Sequence, residues 1–225
     1  MTEVALYGHW ICPFSTRVEF ALHQRGIDHE LVDLPPSAVR PEDFVMPPEF
    51  VEHSPRLEVP LVRVGAEYRA DSIPVLEWLE TAVDAPTLLP GDDADRARIR
   101  ERMAWIDANA FRPMIGIYYG TEPAKIERAS VRLGEALDQL GRWAAEQGWL
   151  AGSVLSLADA VAMPIHVRLA GLQRLGFDAE VDPTWSEYRE RCRSLPGWAP
   201  VAWSTGQTDE FVGRFEAYRR KRAGA

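Results

Sequence analysis

The sequence predicts a small mixed α/β domain followed by an all-helical domain. In the first eighty residues, short apolar runs alternate with helical patterns, and the pair Gly65-Ala66 separates two strand-like runs. From Arg96 onward, apolar residues recur only at helical spacing. We therefore expect an N-terminal domain at residues 1–82, a linker at residues 83–95 and a helical domain at residues 96–225.

The N-terminal domain begins with a β-α-β unit. Residues 3–7 are short and mostly apolar, as a buried strand is, and residues 29–34 resume as a second strand. Between them, residues 15–25 carry the apolar spacing of a helix, and Gly26 ends that helix. A helix that crosses between two strands predicts that the strands are parallel.

A hairpin and a second helix complete this domain. A proline-rich loop at residues 35–55 contains one short helix at residues 48–53. Two hairpin strands follow at residues 59–64 and 67–70, and a helix at residues 73–82 ends the domain. Because hairpin strands are antiparallel, the four-stranded sheet is predicted to be mixed. Asp71 and Ser72 are suited to cap the helix that follows them.

Five helices are predicted in the C-terminal domain from apolar residues that recur every three to four positions. They span residues 96–113, 126–147, 156–175, 184–195 and 210–222. Pro113 is expected to end the first of these helices, and Pro164 is expected to kink the third.

Composition and charge exclude several classes of function. The 225 residues are 46% apolar and 26% charged with a formal net charge of -9, and this acidity argues against a nucleic-acid partner. No signal peptide and no apolar run of roughly 18 residues is visible, so no membrane span is expected. Two cysteines, Cys12 and Cys192, are too few for a disulfide framework, which predicts a cytoplasmic protein. The histidines show no ligand spacing with the cysteines, so we expect no metal site.

The turn Cys12-Pro13-Phe14-Ser15 is the first candidate site. It joins the first strand to the first helix, so Cys12 is expected at a helix N-terminus, where the positive end of the dipole stabilises a thiolate. Ser15 is expected to face the same sulfur and donate a hydrogen bond to it. The structural alternative is a small buried hydrophobic residue, which is how we interpret Cys192.

Three segments of the sequence resemble the cytosolic glutathione transferases over most of the chain. The Cys12 turn, followed by Arg17-Val18, resembles the catalytic turn of cysteine-type members such as the omega class and the dehydroascorbate reductases. The other two segments are Val59-Pro60 followed by Asp71-Ser72-Ile73, and Trp149-Leu150-Ala151-Gly152 followed by Ser156-Leu157-Ala158-Asp159. The resemblance implies a thioredoxin-like first domain and a helical second domain.

The resemblance also implies a site for a thiol cofactor, either glutathione or a similar low-molecular-weight thiol. A cis Val59-Pro60 bond would let Val59 present its backbone groups to a bound peptide, and Phe14 belongs to the same cofactor-binding set. Ser72 would bind the γ-glutamyl carboxylate and Asp71 its amine. In the family, the Ser156 and Asp159 pair is a folding device, which places it outside the site.

The segment before Val59 departs from the family pattern. Where the family usually has glycine and a basic residue, this chain has Leu57 and Glu58, although Arg56 is placed to supply the lost charge. Three alternatives therefore remain for the thiol cofactor: glutathione, another low-molecular-weight thiol, or no thiol at all.

A second-substrate pocket is expected beside Cys12. Its candidate residues are Trp10, Trp105, Asn109, Arg112, Tyr118 and Tyr119. The alternative for an aromatic residue at helical spacing is a place in the core, and Trp105 fits that alternative best. Arg112 would bind an acidic group of the substrate, or pair with Asp107 or Glu101.

Three functions remain open from the sequence. The leading one is a thiol-dependent transferase or reductase acting on a small electrophile or disulfide, with Cys12 as the group that forms a mixed disulfide. The second is a cis-trans isomerase that uses the same site. The third is a non-catalytic binding protein, which the Leu57-Glu58 departure favours. The resemblance also implies a homodimer.

Overall fold

The computed structural model describes residues 2–223, and its internal contacts divide the chain into two units. Of the described residues, the first unit comprises 2–89 and 195–201, and the second comprises 90–194 and 202–223. Residues 195–201 belong to the first unit, although the sequence patterns assign them to the helical domain. This short segment has no apolar periodicity of its own, because its helix is a single turn.

The first unit contains a four-stranded sheet with helices. Its elements in chain order are β1 (Val4–Gly8), α1 (Pro13–Gln24), β2 (Glu30–Asp33), α2 (Pro48–His53), β3 (Leu61–Val64), β4 (Glu67–Ala70), α3 (Ser72–Ala82) and, from the returning segment, α9 (Trp198–Val201). The strand order is β2-β1-β3-β4. β1 is parallel to β2, and both remaining pairs are antiparallel, which confirms the predicted mixed sheet.

Local sequence explains where these elements begin and end. All five residues of β1 are buried, as the apolar run predicts. Pro13 occupies the first turn of α1, where a missing N–H costs no hydrogen bond, and Gly26 follows the helix with a φ of 66° that glycine adopts without strain. The segment between β1 and α1 is therefore a short turn, and Cys12 ends it.

One predicted cap is wrong. Asp71 precedes α3, but its side chain makes no capping hydrogen bond, and its φ is 70°. A carboxylate caps a helix from an extended backbone, and the left-handed conformation of Asp71 directs the side chain elsewhere. The carboxylate contacts Arg56 instead.

The second unit is helical throughout. Its elements are α4 (Asp93–Ile106), a π-helical turn (Asp107–Phe111), α5 (Arg112–Tyr119), α6 (Pro123–Gln147), α7 (Leu157–Arg174), α8 (Pro183–Arg193) and α10 (Thr205–Ala223). Pro113 does not end the first helix as predicted, because the π-helical turn comes before it and Pro113 then lies in the first turn of α5. Among the residues that the structure describes, no helix is both long and apolar enough to cross a membrane.

A buried polar cluster joins α7 to α8 in this unit. The Asp159 carboxylate accepts hydrogen bonds from the backbone N–H groups of Ser156 (2.9 Å) and Leu150 (3.2 Å). It also accepts from the hydroxyls of Ser156 (3.1 Å) and Tyr188 (2.8 Å). The pair of Ser156 and Asp159 thus holds the start of α7, as the sequence predicts.

His166 lies next to this cluster and is fully buried. Its ring stacks on Trp185 with the centroids 4.3 Å apart, and neither ring nitrogen has a hydrogen-bond partner among the described residues. Burial, with a contribution from the nearby Arg189 cation, lowers the pKa of His166 to about 3. The neutral imidazole is therefore the form that the folded protein holds.

Acid should destabilise the protein through His166. The unfolded chain takes up the proton near the ordinary pKa of 6.5 and the folded chain only near 3, so stability falls as the pH drops through this window. The slope for this one proton is at most about 1.4 kcal/mol per pH unit. Replacing His166 by Phe keeps a ring on Trp185 and removes the titration. Urea unfolding at about pH 7 and about pH 5 gives the free energies of unfolding of both proteins. Relative to wild type, His166→Phe should be more stable at about pH 5 than at about pH 7. An equal difference at both pH values would contradict this role of His166.

Candidate functional site

Cys12 lies at the N-terminus of α1, as the sequence predicts. It is the N-cap residue, with an extended backbone, and is 3% exposed. Its backbone N–H donates to the carbonyl of His9 (2.9 Å), and its own carbonyl accepts from the Thr16 N–H (3.1 Å). The Sγ thiol donates to the carbonyl of Val59 at 3.7 Å. The turn thus fixes the sulfur between the start of a helix and the backbone that leads into β3.

Ser15 does not bond to this sulfur. Its hydroxyl is buried and has no hydrogen-bond partner among the described residues, and Gly8 lies so close that a Cβ there would be 3.1 Å from Ser15 Oγ. The predicted hydrogen bond from Ser15 to Cys12 is therefore wrong, because the side chain points toward β1. The sulfur instead uses a backbone carbonyl that is remote in sequence.

The Val59-Pro60 bond is cis, as the resemblance implies. Val59 is buried in one apolar cluster with Cys12, together with Ala5, Tyr7, Leu34, Phe50 and Leu61. This cluster packs β1 and β3 against α2 and the sulfur. The backbone of Val59 is thereby held next to Cys12, where a bound peptide would meet both.

Tyr7 is the other ionisable group of this cluster. Its hydroxyl donates to the carboxylate of Glu49 (3.1 Å), and burial, reinforced by that hydrogen bond, raises the pKa of Tyr7 to about 12. A phenol with this partner and this pKa keeps its proton. The side chain of Cys12 is therefore the better candidate for chemistry in this cluster.

The start of α3 combines a helix N-terminus with polar side chains. Ser72 is the first residue of α3 and is 5% exposed, and its Oγ accepts from the Nη1 of Arg17 at 3.3 Å. Asp71 forms an exposed ion pair with Arg56. The two residues that are expected to bind a γ-glutamyl group thus each contact an arginine.

The backbone is strained on both sides of this site. Leu57 (φ 52°) and Asp71 (φ 70°) are the non-glycine residues of the described chain with positive φ. Such residues cost about 1–3 kcal/mol each and concentrate at functional sites. The value at Leu57 also gives a physical reason for the glycine that the family usually has there.

The segment before Val59 is held by a loop that the sequence analysis did not assign to the site. Glu58 accepts from the backbone N–H of Ser37 (3.2 Å) and contacts its hydroxyl. Arg40 donates to the carbonyls of Leu57 (2.8 Å) and Pro35 (2.9 Å). Arg40 is a basic group that sequence reasoning missed, since its proline-rich surroundings lack periodicity and only the fold places it at Leu57.

The predicted pocket residues have different surroundings. In the first unit, Trp10 packs its ring 5.5 Å from that of His9. In the second unit, Trp105 lies edge-on to Trp143 and lines a groove of about 800 Å³ with Asn109 and Arg112. Basic side chains of α6 line the same groove: Lys125, Arg128, Arg132 and Arg142. Trp105 and Arg112 thus face an opening of the helical unit.

Tyr118 and Tyr119 belong to an aromatic cluster with α10. The Tyr118 ring is 3% exposed and lies 4.6 Å from the ring of Phe215, which favours a structural role. Tyr119 is half-buried and contacts Phe215 and Tyr218. Of the two, Tyr119 keeps the surface that a substrate would need.

The described part of the chain contains no group of three or more His, Cys, Asp or Glu residues arranged to hold a metal ion.

Phe14 is 37% exposed and lies beside Arg17, whose guanidinium carbon is 5.5 Å from the ring centroid.

Comparison with known proteins links this geometry to one family. The family model of the glutathione S-transferase N-terminal domain matches residues 11–82, which include Cys12, Val59 and Ser72. A probable glutathione S-transferase of Solanum tuberosum is 25% identical over 226 residues, covering 97% of this chain and 96% of that protein. The maleylacetoacetate isomerase of Rattus norvegicus is 26% identical over 196 residues, covering 84% of this chain and 88% of that protein.

The fold is likewise shared with solved structures. The crystal structure of rice GST1 in complex with glutathione superposes with a TM-score of 0.81 at 18% identity, over 98% of this chain and 97% of that one. At this identity, the similarity concerns the arrangement of helices and strands. It agrees with the predicted α/β domain followed by a helical domain.

Proposed function

Because this chain is a member of the glutathione S-transferase family, we propose that it uses glutathione for thiol transfer or reduction, with Cys12 as the nucleophile. The observation that carries the proposal is the position of the Cys12 sulfur at the N-terminus of α1, 3.7 Å from the Val59 carbonyl. A thiolate is favoured at such a helix end.

The remaining groups of the first unit suit the parts of a γ-glutamyl tripeptide. The backbone of Val59 offers an N–H and a C=O to the cysteinyl residue, as an added strand would. Ser72 and the free N–H groups at the start of α3 suit the γ-glutamyl carboxylate, and Asp71 suits the amine. Phe14 would cover the outer side of this site. These roles are proposed for the same residues that the sequence singled out.

The proposed reaction exchanges one disulfide for another. The Cys12 thiolate attacks the glutathionyl sulfur of a mixed disulfide, a Cys12–glutathione disulfide forms, and the substrate sulfur leaves as a thiolate. A second glutathione thiolate then attacks that disulfide, which releases oxidised glutathione and returns Cys12 as a thiolate. Overall, one free glutathione is consumed for each mixed disulfide, and it leaves joined to the substrate's glutathionyl group as oxidised glutathione.

A cis-trans isomerase is the second candidate function. The observation that favours it is the similarity to maleylacetoacetate isomerases of rat and mouse over 84% of this chain. In such a reaction a thiolate adds to an activated double bond, rotation follows, and the thiolate leaves again. No net oxidation occurs. The same site serves both functions because each of them needs a thiolate.

The proposal extends to partners and location. The substrate is a small electrophile or disulfide, the protein is a homodimer, and it works in the cytoplasm, where Cys12 stays reduced. Both cysteines are free and buried, which suits that setting. For the second substrate we propose Trp10 within the first unit and, within the helical unit, Trp105, Arg112, Tyr118 and Tyr119, with Tyr119 more open than Tyr118.

Exposure to oxidised glutathione tests the proposal. Intact-mass spectrometry should show one adduct of roughly 305 Da, because thiol–disulfide exchange leaves one glutathionyl group on Cys12. A peptide map should place the adduct on Cys12 and leave Cys192 unmodified. A substrate panel of mixed disulfides, cis-enones and aryl halides then separates the two functions, since turnover of cis-enones alone would favour the isomerase.

Two results would contradict a glutathione-dependent enzyme. The first is the absence of any adduct and of any turnover across the panel. The second is the absence of glutathione binding at millimolar concentration by calorimetry with the fold intact, which would favour the non-catalytic binding protein.

A further inference from the structure

We infer that Arg17 is a positioning residue that directs the Ser72 hydroxyl proton toward the carboxylate of a bound γ-glutamyl peptide. This inference rests on the proposed glutathione site and adds to it a residue that touches no substrate. Arg17 lies on α1, whereas Ser72 opens α3, so the contact joins the helix that carries Cys12 to the helix that receives the carboxylate.

The contact is buried and directional. Arg17 is 1% exposed, and its Nη1 donates to Ser72 Oγ at 3.3 Å. A guanidinium has donors only, so Ser72 must be the acceptor in this bond. Ser72 is itself buried, which limits the number of other partners that can compete for its hydroxyl.

The chemistry of a hydroxyl turns this contact into an orientation. A serine Oγ carries one proton and accepts on its lone pairs, so the lone pair used by Arg17 leaves the proton to point away from Arg17. At the first residue of α3, the outward direction is also that of the unpaired backbone N–H groups. The hydroxyl and these N–H groups then donate to one anion, as a carboxylate requires.

Phe14 helps to hold the guanidinium in place. The Arg17 guanidinium carbon lies 5.5 Å from the centroid of the Phe14 ring, and that ring is partly exposed. The ring covers one side of the cation and limits its movement toward solvent. Phe14 therefore affects the site through Arg17, besides any contact that it makes with a ligand.

The consequence is selectivity for a ligand that carries the α-carboxylate. Glutathione has this group on its γ-glutamyl residue, whereas γ-aminobutyryl-cysteinyl-glycine keeps the amine, the thiol and the rest of the chain but lacks the carboxylate. Loss of the Arg17 contact should weaken binding of the first ligand and leave the second unchanged. A residue that only supports the fold would affect both ligands alike.

Calorimetry with these two ligands on wild type, Arg17→Met and Arg17→Lys tests the inference. Met fills similar space without a donor, and Lys keeps one donor. We expect Arg17→Met to weaken glutathione binding about 10- to 100-fold, as loss of a hydrogen bond to a charged group does, with the analogue unaffected. The affinity of Arg17→Lys for glutathione should lie between those of wild type and Arg17→Met. In a Ser72→Ala background, Arg17→Met should cause no further loss, because the hydroxyl that it orients is absent.

The outcomes separate the two proposals. Equal weakening of both ligands by Arg17→Met, or unchanged glutathione binding, would overturn the role of Arg17 alone. If Arg17→Met does not fold, wild-type affinity of Arg17→Lys for glutathione would overturn that role. A folded wild-type protein that binds neither ligand would overturn the proposed glutathione site and the role of Arg17 together.

Discussion

Replacing Cys12 by serine is expected to abolish thiol transfer while glutathione still binds. The thiolate is the nucleophile of disulfide exchange, and a serine hydroxyl does not form the mixed disulfide. We expect turnover of mixed disulfides to fall at least about 1000-fold, since removal of a covalent nucleophile typically costs several powers of ten. The proposed binding groups, Val59, Asp71 and Ser72, are unaltered, so calorimetry should give a dissociation constant for glutathione within about threefold of wild type.

The same variant separates covalent chemistry from simple activation of glutathione. A serine at this helix N-terminus can still donate a hydrogen bond to a bound thiolate, so conjugation to aryl halides should persist in Cys12→Ser. Loss of both activities with binding intact would show that Cys12 activates the bound thiol in conjugation as well. Undiminished turnover of mixed disulfides would contradict the role of Cys12 as the nucleophile.

Cys192 provides the matched control. It lies on α8 in the helical unit, is fully buried, and burial raises the pKa of its thiol. A protonated and inaccessible thiol takes no part in exchange, so Cys192→Ser should keep full thiol-transfer activity. If instead Cys192→Ser lost activity at unchanged stability, the assignment of the two cysteines would have to be reversed.

The sequence predicts most of the frame around Cys12 because that frame depends on local chemistry. Proline and glycine mark both ends of α1, and the alternation of apolar runs with helical spacing indicates the succession of strands and helices along the chain. The resemblance to the glutathione transferases implied the cis Val59-Pro60 bond, and the pair Asp71-Ser72 marked the start of α3. None of these features needs knowledge of distant contacts.

The features that the sequence did not predict depend on side-chain direction or on distant neighbours. Ser15 has the spacing of a partner for Cys12, yet packing against Gly8 turns its hydroxyl toward β1. Asp71 has the composition of a cap, but its left-handed backbone takes the carboxylate to Arg56. Arg40 reaches Leu57 across 16 intervening residues that include α2, and no local pattern indicates this contact.

The second large effect is expected for stability, from the replacement of Asp159 by alanine. The Asp159 carboxylate is fully buried and accepts four hydrogen bonds from Leu150, Ser156 and Tyr188. Its loss leaves these donors buried without an acceptor, which costs about 1–3 kcal/mol for each group that water does not reach. We expect a total loss of about 3–5 kcal/mol, or about 6–20 °C in melting temperature, measured by urea and thermal unfolding.

Asp95 offers a matched control for this variant. It occupies the same third position in the capping box of α4, where its carboxylate accepts from the Asp92 N–H (3.3 Å), but this helix end is exposed. Water replaces the lost acceptor at such a site, so Asp95→Ala should cost about 1 kcal/mol at most. Equal losses for Asp159→Ala and Asp95→Ala would contradict the importance of burial.

The expected loss at Asp159 has a further consequence that tests its cause. If unsatisfied donors account for the cost, removal of one of those donors should restore part of the stability. Tyr188→Phe removes the hydroxyl that donates to Asp159 at 2.8 Å, and the ring stays in place beside His166. Tyr188→Phe should therefore destabilise the wild-type protein, but it should leave the Asp159→Ala protein equally stable or make it more stable. A donor that has already lost its acceptor has no hydrogen bond left to lose. Additive losses would therefore show that the hydroxyl and the carboxylate stabilise the fold independently.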